Sequence, residues 1–326
     1  MTRRWVADAT TKTLGAVLRA MGLDDGAVAR AITDGRVFVG KVRARRSTDP
    51  VAEGAAITVH VARADASLPE PFVLHRSPGV IMVDKPAGIA TVPDLRGAAG
   101  TLLAIVAEQL GRGLDAIDTI QTTSRLDREV SGVVTFATEP VMADAIARAR
   151  DEGRYARRYL AVAHGHLEGD VERDVARWTW SIGRGRDPML RQARPATDRT
   201  AKQAISRARV VARVKAREHE AMLLALVPET GRTHQLRVHA SAAGAPLVGD
   251  VAYGGARRWI TATGAVRPID RIALHCAHVA IDLGDDRRIE ASAPAPESFR
   301  AVARAARSGD DEQLDTWIAQ ALRCEV

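Results

Sequence analysis

From about residue 73 onward the chain alternates apolar strand-like segments with helical segments, and this alternation most limits the fold. The apolar content of strands is found in GVIMVDKPAG (79–88), RYLAVAHGHL (158–167), AISRARVVARV (204–214) and EAMLLALVPET (220–230). Helical spacing is found in GTLLAIVAEQLG (100–111), which ends at Gly111, and in EPVMADAIARARDEG (139–153), where Pro140 suits a first turn. No internal repeat interrupts the pattern. It predicts one domain in which strands and helices share a core.

The first 65 residues predict a separate small module. Apolar residues recur at helical spacing, namely Leu14, Val17, Leu18 and Met21. A second short helix with Val28 and Ile32 should end at Gly35, and RVFVG and AAITVHV then alternate as strands. Residues 66–72 have the Pro and Ser content of a linker. The predicted organisation is therefore a module at 1–65, a linker at 66–72 and a larger domain at 73–326.

Composition excludes several classes of protein. The 326 residues are enough for two domains, and 46% hydrophobic with 27% charged residues is typical of a globular chain. No stretch approaches the ~18 consecutive apolar residues of a membrane span, and no apolar signal region follows Arg3 and Arg4, so we expect a cytoplasmic protein. Two cysteines are too few for a disulfide framework. The formal charge of +7 favours a polyanionic partner.

The basic residues concentrate in two places. The first is a patch in the N-terminal module with one acidic residue, Asp34, among six basic candidates for RNA binding: Arg30, Arg36, Lys41, Arg43, Arg45 and Arg46. The second is the Arg-rich loop at 184–199, a candidate for phosphate contacts. Each could instead be an ordinary solvated surface.

The segment TTSRLDREVSG (122–132) places an opposite-charge pair just before an apolar strand. Side chains alternate in an extended segment, so Arg125 and Asp127 share one face while Leu126 points to the core. A cation beside a partly desolvated carboxylate favours its ionised form. The segment therefore suits chemistry that needs a carboxylate that stays ionised. A structural salt bridge without any catalytic role would give the same sequence pattern.

The segment ETGRTHQLRVHASAAGAPLVGD (229–250) predicts a polar helix face. Thr233 is a natural N-cap and Gly244 a natural stop, which places His234, Arg237 and Ser241 on one face. Because His234 and His239 are five positions apart they fall on different faces, so we predict no metal site.

Five motifs in order resemble the RluA-type pseudouridine synthases: SRLDREVSG, RYLAVAHG, ETGRTHQLRVHA, APLVGDVAYGG and RIALHCAHV, with VDKPAG upstream. The similarity covers roughly residues 73–295. It implies the pseudouridine synthase fold, an α+β domain with a mixed, largely antiparallel central sheet flanked by helices. The N-terminal stretch RAITDGRVFVGKV with PVAEGAAITVHV resembles a diverged S4-type RNA-binding domain, although the family's usual Asn before the Gly of its turn is absent and Phe38-Val39-Gly40 stands there.

The resemblance also implies roles for single residues. Asp127 matches the catalytic aspartate and Arg237 the arginine that pairs with it. Tyr159 matches the tyrosine that packs on the target base, and Arg125 the residue that fills the stack left by the flipped base. The motif around them supplies supporting residues: Arg232, Thr233, His234 and Gln235.

The implied reaction breaks the C1′–N1 bond of uridine in structured RNA and rejoins the base through C5. We expect rRNA rather than tRNA as the substrate. It needs no cofactor and no metal, and we expect a monomer. Asp127 could attack C1′, add to C6 or remove the C2′ proton. Two departures from the family pattern, Ser124 for the usual His and Val130 for the usual Thr, leave open a catalytically silent RNA-binding or chaperone-like protein. A glycosidase using Glu129 as a second carboxylate, or a metal hydrolase, is a further alternative.

Overall fold

The structure is a computed structural model that describes residues 2–6, 13–33, 37–40, 42–44, 46–60, 72–93, 100–112, 114–165, 167, 171–172, 175–216, 219–260, 266–305, 311–324 and 326. The chain divides into two compact units. The first combines Met1–Glu70 with Ala90–Asp118, and the second combines Pro71–Ile89 with Thr119–Val326. The predicted linker at 66–72 lies, except for Phe72, outside the described residues. The domain boundaries stay predictions.

The N-terminal part of the first unit is a small sheet with two helices. Its strands are β1 Thr2–Val6, β2 Val37–Val39, β3 Val42–Arg43 and β4 Ala56–His60, and its helices are α1 Leu14–Ala20 and α2 Asp25–Thr33. The strands lie antiparallel in the order β1, β4, β2, β3. The predicted helical face is confirmed, because all four of its apolar residues are buried: Leu14, Val17, Leu18 and Met21. The S4-like identity of this module stays a prediction.

The remaining described part of the first unit contains helix α3 Leu102–Gln109 and all but the last residue of a 3-10 helix, Leu114–Thr119. Thr101 caps α3, since its hydroxyl accepts a hydrogen bond from the backbone N–H of Ala104 at 3.3 Å. The helix predicted over 100–111 is therefore confirmed.

The second unit is dominated by strands. They are β5 Phe72–Ser77, β6 Val80–Lys85, β7 Gln121–Thr122, β8 Ser131–Ala137, β9 Tyr155–His164, β10 Val171–Glu172, β11 Val175–Trp178, β12 Ser181–Arg184, β13 Arg191–Arg194, β14 Ser206–Ala216, β15 His219–Pro228, β16 Arg258–Ile260, β17 Val266–Pro268, β18 Leu274–Asp282 and β19 Arg288–Ser292. Its helices are α4 Pro140–Asp151, α5 Gln235–Ala242, α6 Glu297–Ala305 and α7 Asp311–Arg323, with a 3-10 helix at Val251–Tyr253.

Within the described residues, one central sheet runs in the order β10, β11, β14, β15, β9, β18, β8, β6, β5, with β19 beside β18 and β7 beside β8. The β8–β18 pair is parallel and the other pairs of this sheet are antiparallel. The α+β fold with a mixed, largely antiparallel central sheet is confirmed. The pairs β12–β13 and β16–β17 form separate two-stranded hairpins.

The last two helices close one face of this sheet. Phe299 and Leu314 are buried in the same apolar cluster as Leu160 of β9 and Leu223 of β15. Arg158 donates hydrogen bonds to two carbonyls at the end of α7, Ala321 and Cys324. A cation there satisfies orphan carbonyls of the helix C-terminus.

Gly132 allows the parallel pair to form. Its φ is 115°, and a Cβ at this position would lie 2.1 Å from the carbonyl oxygen of Cys276. Only glycine tolerates both constraints. The Ser131–Gly132 pair in the opening of β8 is thus explained by the close approach of β18, whose His275 and Cys276 pair with these two residues.

Candidate active site

The segment 123–130, here called the carboxylate loop, is fixed to the strand that follows it. Thr123 donates its backbone N–H and its hydroxyl to the Thr135 carbonyl, at 3.1 and 2.9 Å. The Ser124 hydroxyl accepts a hydrogen bond from the Thr135 N–H at 3.1 Å. Leu126 and Val130 are buried. Ser124 and Val130, the two departures from the family pattern, therefore both support this loop. Ser124 binds it to β8, and Val130 fills a buried position.

Asp127 and Asp250 bind the same guanidinium. Arg237 of α5 donates from Nη1 to Asp127 Oδ2 at 2.8 Å. It donates from Nε and Nη2 to the two oxygens of Asp250, at 2.7 and 2.8 Å. The Asp250 side chain is 1% exposed, whereas that of Asp127 is 27% exposed. One carboxylate thus anchors the cation, and the other stays within reach of solvent and substrate.

The environment of Arg237 keeps it charged. Burial opposes its charge, but the hydrogen bond to Asp250 and the negative charges of Asp127 and Asp250 raise its pKa above the usual value. A bidentate contact with one carboxylate also fixes the plane of the guanidinium. Asp127 therefore faces a permanent and rigidly held positive charge.

The cation at Asp127 differs from the one that the alternation of side chains predicted. Leu126 is buried as expected, but Arg125 is exposed, and within the described part of the chain no ion pair holds its guanidinium. The contact to Asp127 comes from Arg237, 110 positions further along the chain. Segment 123–128 is a loop rather than a strand, so neighbours two positions apart need not share a face.

The prediction that Thr233 caps α5 is wrong. Thr233 is exposed, and the N-cap position is occupied by His234, which adopts a left-handed conformation with φ 57° and ψ 20°. That turn moves the helix start by one residue and directs the imidazole to the site. Its Nε2 lies 3.8 Å from Asp127 Oδ1, and its Nδ1 lies 2.7 Å from the Tyr253 hydroxyl. The predicted stop is confirmed, since Gly244 has φ 75°.

His234 is held in its neutral form. Burial lowers its pKa; Asp127 opposes that shift and Arg237 reinforces it. Tyr253 lies beside both side chains, with its ring centroid 5.7 Å from that of His234 and 4.8 Å from the Arg237 guanidinium carbon.

Gln235 and Arg232 have structural contacts. The Gln235 amide donates to the Ile205 carbonyl and the Ser206 hydroxyl, both at 2.9 Å, and its oxygen accepts from the Arg232 N–H at 2.9 Å. The exposed Arg232 donates from Nε to the Gln203 carbonyl at 3.0 Å. These contacts join the start of α5 to the segment entering β14.

Tyr159 lies in the middle of β9, opposite Cys276 of β18, and is 7% exposed. Burial raises the pKa of its hydroxyl and that of the neighbouring Cys276 thiol, the latter to about 12. Both groups are therefore neutral over the physiological pH range.

Lys85 was not predicted as a site residue. It ends β6 with a fully buried side chain and donates to the carbonyls of Pro86, Ile89 and Arg128, at 3.0, 2.9 and 3.1 Å. Burial lowers its pKa to about 7, against the opposing charges of Glu129 and Asp127. It fixes the backbone one residue after Asp127. The sequence feature that could have pointed to it is a lysine at the end of the apolar strand VIMVDK.

Arg271 is a second buried arginine that the sequence did not reveal. Its Nη1 donates to Ser298 at 2.9 Å, and its Nη2 to Ser131 at 2.8 Å and to the Leu274 carbonyl at 2.9 Å. Ser131 also contacts His275 Nδ1 at 2.8 Å. Burial lowers the pKa of Arg271 to about 10 and that of His275 to about 4.

The N-terminal RNA-binding candidates are only partly described. Arg36, Lys41 and Arg45 lie outside the described residues. Arg30 belongs to α2 and Arg43 to β3, while Arg46 is exposed. Their role in RNA binding stays a prediction.

The fold has counterparts among solved structures. The chain resembles Human RNA Pseudouridylate Synthase Domain Containing 1, with a TM-score of 0.56 and 24% identity over 80% of this chain and 98% of that one. It resembles Human RNA Pseudouridylate Synthase Domain Containing 4 with a TM-score of 0.53 and 18% identity over 72% of this chain and 92% of that one. These similarities define the pseudouridine synthase fold.

The sequence itself matches the family described as RNA pseudouridylate synthase over residues 79–242. It is 31% identical to the uncharacterized RNA pseudouridine synthase YhcT of Bacillus subtilis, over 71% of each chain. It is 32% identical to ribosomal large subunit pseudouridine synthase D of Zymomonas mobilis, over 61% of each chain. The corresponding Xanthomonas campestris protein is 31% identical, over 72% of this chain and 69% of the relative.

The chain therefore belongs to the RNA pseudouridylate synthase family. The expectation of an RluA-type pseudouridine synthase, an isomerase of RNA, is confirmed. Within the described residues, no helix is long and apolar enough to span a bilayer, and no three His, Cys, Asp or Glu side chains are grouped to hold a metal ion.

Proposed function

We propose that the protein isomerises specific uridines in ribosomal RNA, with Asp127 as the catalytic carboxylate. The observation that carries this proposal is the shared guanidinium: Arg237 binds Asp127 Oδ2 at 2.8 Å while the buried Asp250 holds its other donors. Two relatives are named as pseudouridine synthases of the large ribosomal subunit, and this similarity supports rRNA as the substrate.

The reaction conserves the atoms of the base. The C1′–N1 bond breaks, a C1′–C5 bond forms, C5 loses a proton and N1 gains one. No oxidation occurs, so a single ionised carboxylate is enough to start it. Attack on C1′, addition to C6 and removal of the C2′ proton all require Asp127 to begin charged.

The geometry supports a division of labour between the two Asp127 oxygens. Oδ2 receives the hydrogen bond from Arg237, and Oδ1 faces His234 at a distance too long for a direct hydrogen bond, 3.8 Å. Oδ1 is therefore the oxygen that a nucleoside could approach. Because Asp250 already fixes the guanidinium, little reorganisation accompanies the reaction.

A paired uridine must leave its helix to reach Asp127, at a cost of about a few kcal/mol. We propose that Arg125, exposed two residues before Asp127, fills the vacated stack, and that Tyr159 packs on the base. The N-terminal basic residues are proposed to contact phosphates, in a module proposed to be S4-like. Binding would then weaken with salt.

Tritium release tests the assignment, because the C5 hydrogen of the target uridine leaves during isomerisation. The substrate is an unmodified large-subunit rRNA transcript labelled with [5-³H]uridine, and chemical tagging maps the product. We expect turnover by the wild type and a loss on the order of 10⁴-fold for Asp127→Asn.

Glu129→Gln is the matched control, since it removes an exposed carboxylate two positions away. It should keep near wild-type turnover, whereas a glycosidase would lose activity and release free uracil. RNA binding without any product on rRNA or bulk unmodified RNA would favour the catalytically silent RNA-binding alternative.

A further inference from the structure

Tyr253, in the motif APLVGDVAYGG, has no part in the function described so far. It ends the 3-10 helix that begins immediately after Asp250, and its side chain is partly buried. Its ring lies against the Arg237 guanidinium, with 4.8 Å between the guanidinium carbon and the ring centroid. An aromatic face at this distance attracts the cation and restricts its movement.

The Tyr253 hydroxyl makes two directed hydrogen bonds. It accepts from the backbone N–H of Arg191 at 2.9 Å and lies 2.7 Å from His234 Nδ1. Since its oxygen already accepts from Arg191, its own proton is available for the imidazole. A neutral imidazole that accepts at Nδ1 carries its hydrogen on Nε2. Nε2 is the atom that faces Asp127 Oδ1.

Arg191 belongs to a hairpin that packs on the helix carrying Arg237. Ile182 of β12 and Val238 of α5 share a small apolar cluster, against which Ala193 of β13 and Tyr253 also pack. On the same hairpin Arg184 and Arg186 are exposed. The hairpin therefore exposes two arginines to solvent and also holds Tyr253 through the backbone N–H of Arg191.

We propose that Tyr253 is a positioning residue of the active site: its ring supports Arg237, its hydroxyl fixes the Nε2–H form of His234 toward Asp127, and its bond to Arg191 ties both to the Arg-rich hairpin. This inference rests on the proposed function. It assigns Tyr253 no contact with the reacting atoms.

Tyr253→Phe tests the proposal, because it keeps the ring and removes only the hydroxyl. Single-turnover tritium release from the labelled rRNA transcript should fall at least about 10-fold, with RNA affinity unchanged. Tyr253→Leu, which also removes the ring, should fall further. Tyr155→Phe is the matched control, since none of the described residues forms a hydrogen bond with the buried Tyr155 hydroxyl. It should turn over as the wild type does.

The pH dependence gives a readout that a purely structural role would not move. The charged groups near His234 are Asp127 of the carboxylate loop, Arg237 of α5, Arg191 of β13 and Asp250. Without the tyrosine donor, Nδ1 can take up a proton and place a second positive charge beside Asp127. On lowering the pH, the rate of Tyr253→Phe should therefore begin to fall at a higher pH than the rate of the wild type does.

The ¹⁵N chemical shifts of the imidazole, assigned with His234→Gln, report the tautomer without any substrate. The wild type should show hydrogen on Nε2, and Tyr253→Phe a mixture. Wild-type turnover and pH profile in Tyr253→Phe would overturn the proposal, as would a loss confined to RNA affinity. A wild type that releases no tritium would instead refute the proposed function, and the tautomer measurement would still decide the inference.

Discussion

Arg237 and Arg271 are equally buried, at 7% and 6% exposure, yet their surroundings differ in kind. Arg237 is bound by two carboxylates, and its pKa is raised. Arg271 donates to hydroxyls and carbonyls, and burial lowers its pKa to about 10. Its charged partners place Arg237 in the proposed active site. Arg271 has uncharged acceptors, and its hydrogen bonds connect β8, β18 and α6.

Lys85 belongs with Arg271 in this comparison, because its three acceptors are also uncharged, all of them backbone carbonyls. Both residues hold the segment that follows Asp127, Lys85 at the Arg128 carbonyl and Arg271 at the Ser131 hydroxyl. Arg237 thus supplies the positive charge that binds Asp127, whereas Lys85 and Arg271 hold the neighbouring segment in place.

The largest effect should follow Arg237→Lys, which keeps the charge but cannot bind two carboxylates in fixed geometry. We expect kcat to fall about 1,000-fold, with RNA affinity within about 2-fold of wild type. Tritium release and filter binding measure the two quantities. Equal losses in both would identify Arg237 as a phosphate contact and break the comparison.

Arg271→Met should instead reduce stability. It leaves the oxygens of Ser131, Ser298 and Leu274 without their donor, at a cost of about 3 kcal/mol in the free energy of unfolding. The kcat of the folded fraction should change less than about 3-fold if the loop keeps its place. Urea denaturation checks the first value. A catalytic loss as deep as that of Arg237→Lys would mean that the two arginines act alike.

Lys85 should make stability depend on pH. Its pKa is about 7 when folded and 10.5 as the ordinary value, so between these limits the unfolded chain binds more protons and stability rises with pH. From pH 7 to pH 9 the gain should be about 2 kcal/mol. Lys85→Met should lack this gain in urea denaturation at the two pH values. A parallel pH dependence in both proteins would contradict the assignment.

The smallest effect is expected on the surface of the hairpin. Arg184→Ala combined with Arg186→Ala should make the slope of log K against log salt shallower by about 1.5, if each cation contacts one phosphate. The kcat at saturating RNA should not change. Arg288→Ala combined with Arg323→Ala, an equal change of charge on exposed residues elsewhere, is the control. An identical slope in both double variants would leave the hairpin without a specific role in RNA binding.

Local pattern predicted most of the fold. The helix at 139–153 and the strands at 204–214 and 220–230 follow from apolar spacing that involves only near neighbours. The pairing of Asp127 with Arg237 joins residues 110 positions apart, and only the family resemblance implied it. Periodicity carries no information on which distant side chain will reach a given carboxylate.

The errors have physical causes. Thr233 is a good N-cap by residue type, but the left-handed turn at His234 starts the helix one residue later. Lys85 and Arg271 were not predicted as site residues, because charged side chains are seldom fully buried. Their burial depends on carbonyls and hydroxyls that several segments bring together.

The parallel crossing of β8 and β18 has a consequence for how activity is acquired during folding. Ser131 and His275, which it brings into contact, are 144 positions apart. Closing so long a stretch of chain is entropically costly and tends to occur late. Until β18 docks, Ser131 and Gly132 lack their parallel partner strand, so a half-folded protein would carry Asp127, the proposed catalytic residue, ahead of an unsupported start of β8. Immature molecules should therefore lack the proposed isomerase activity.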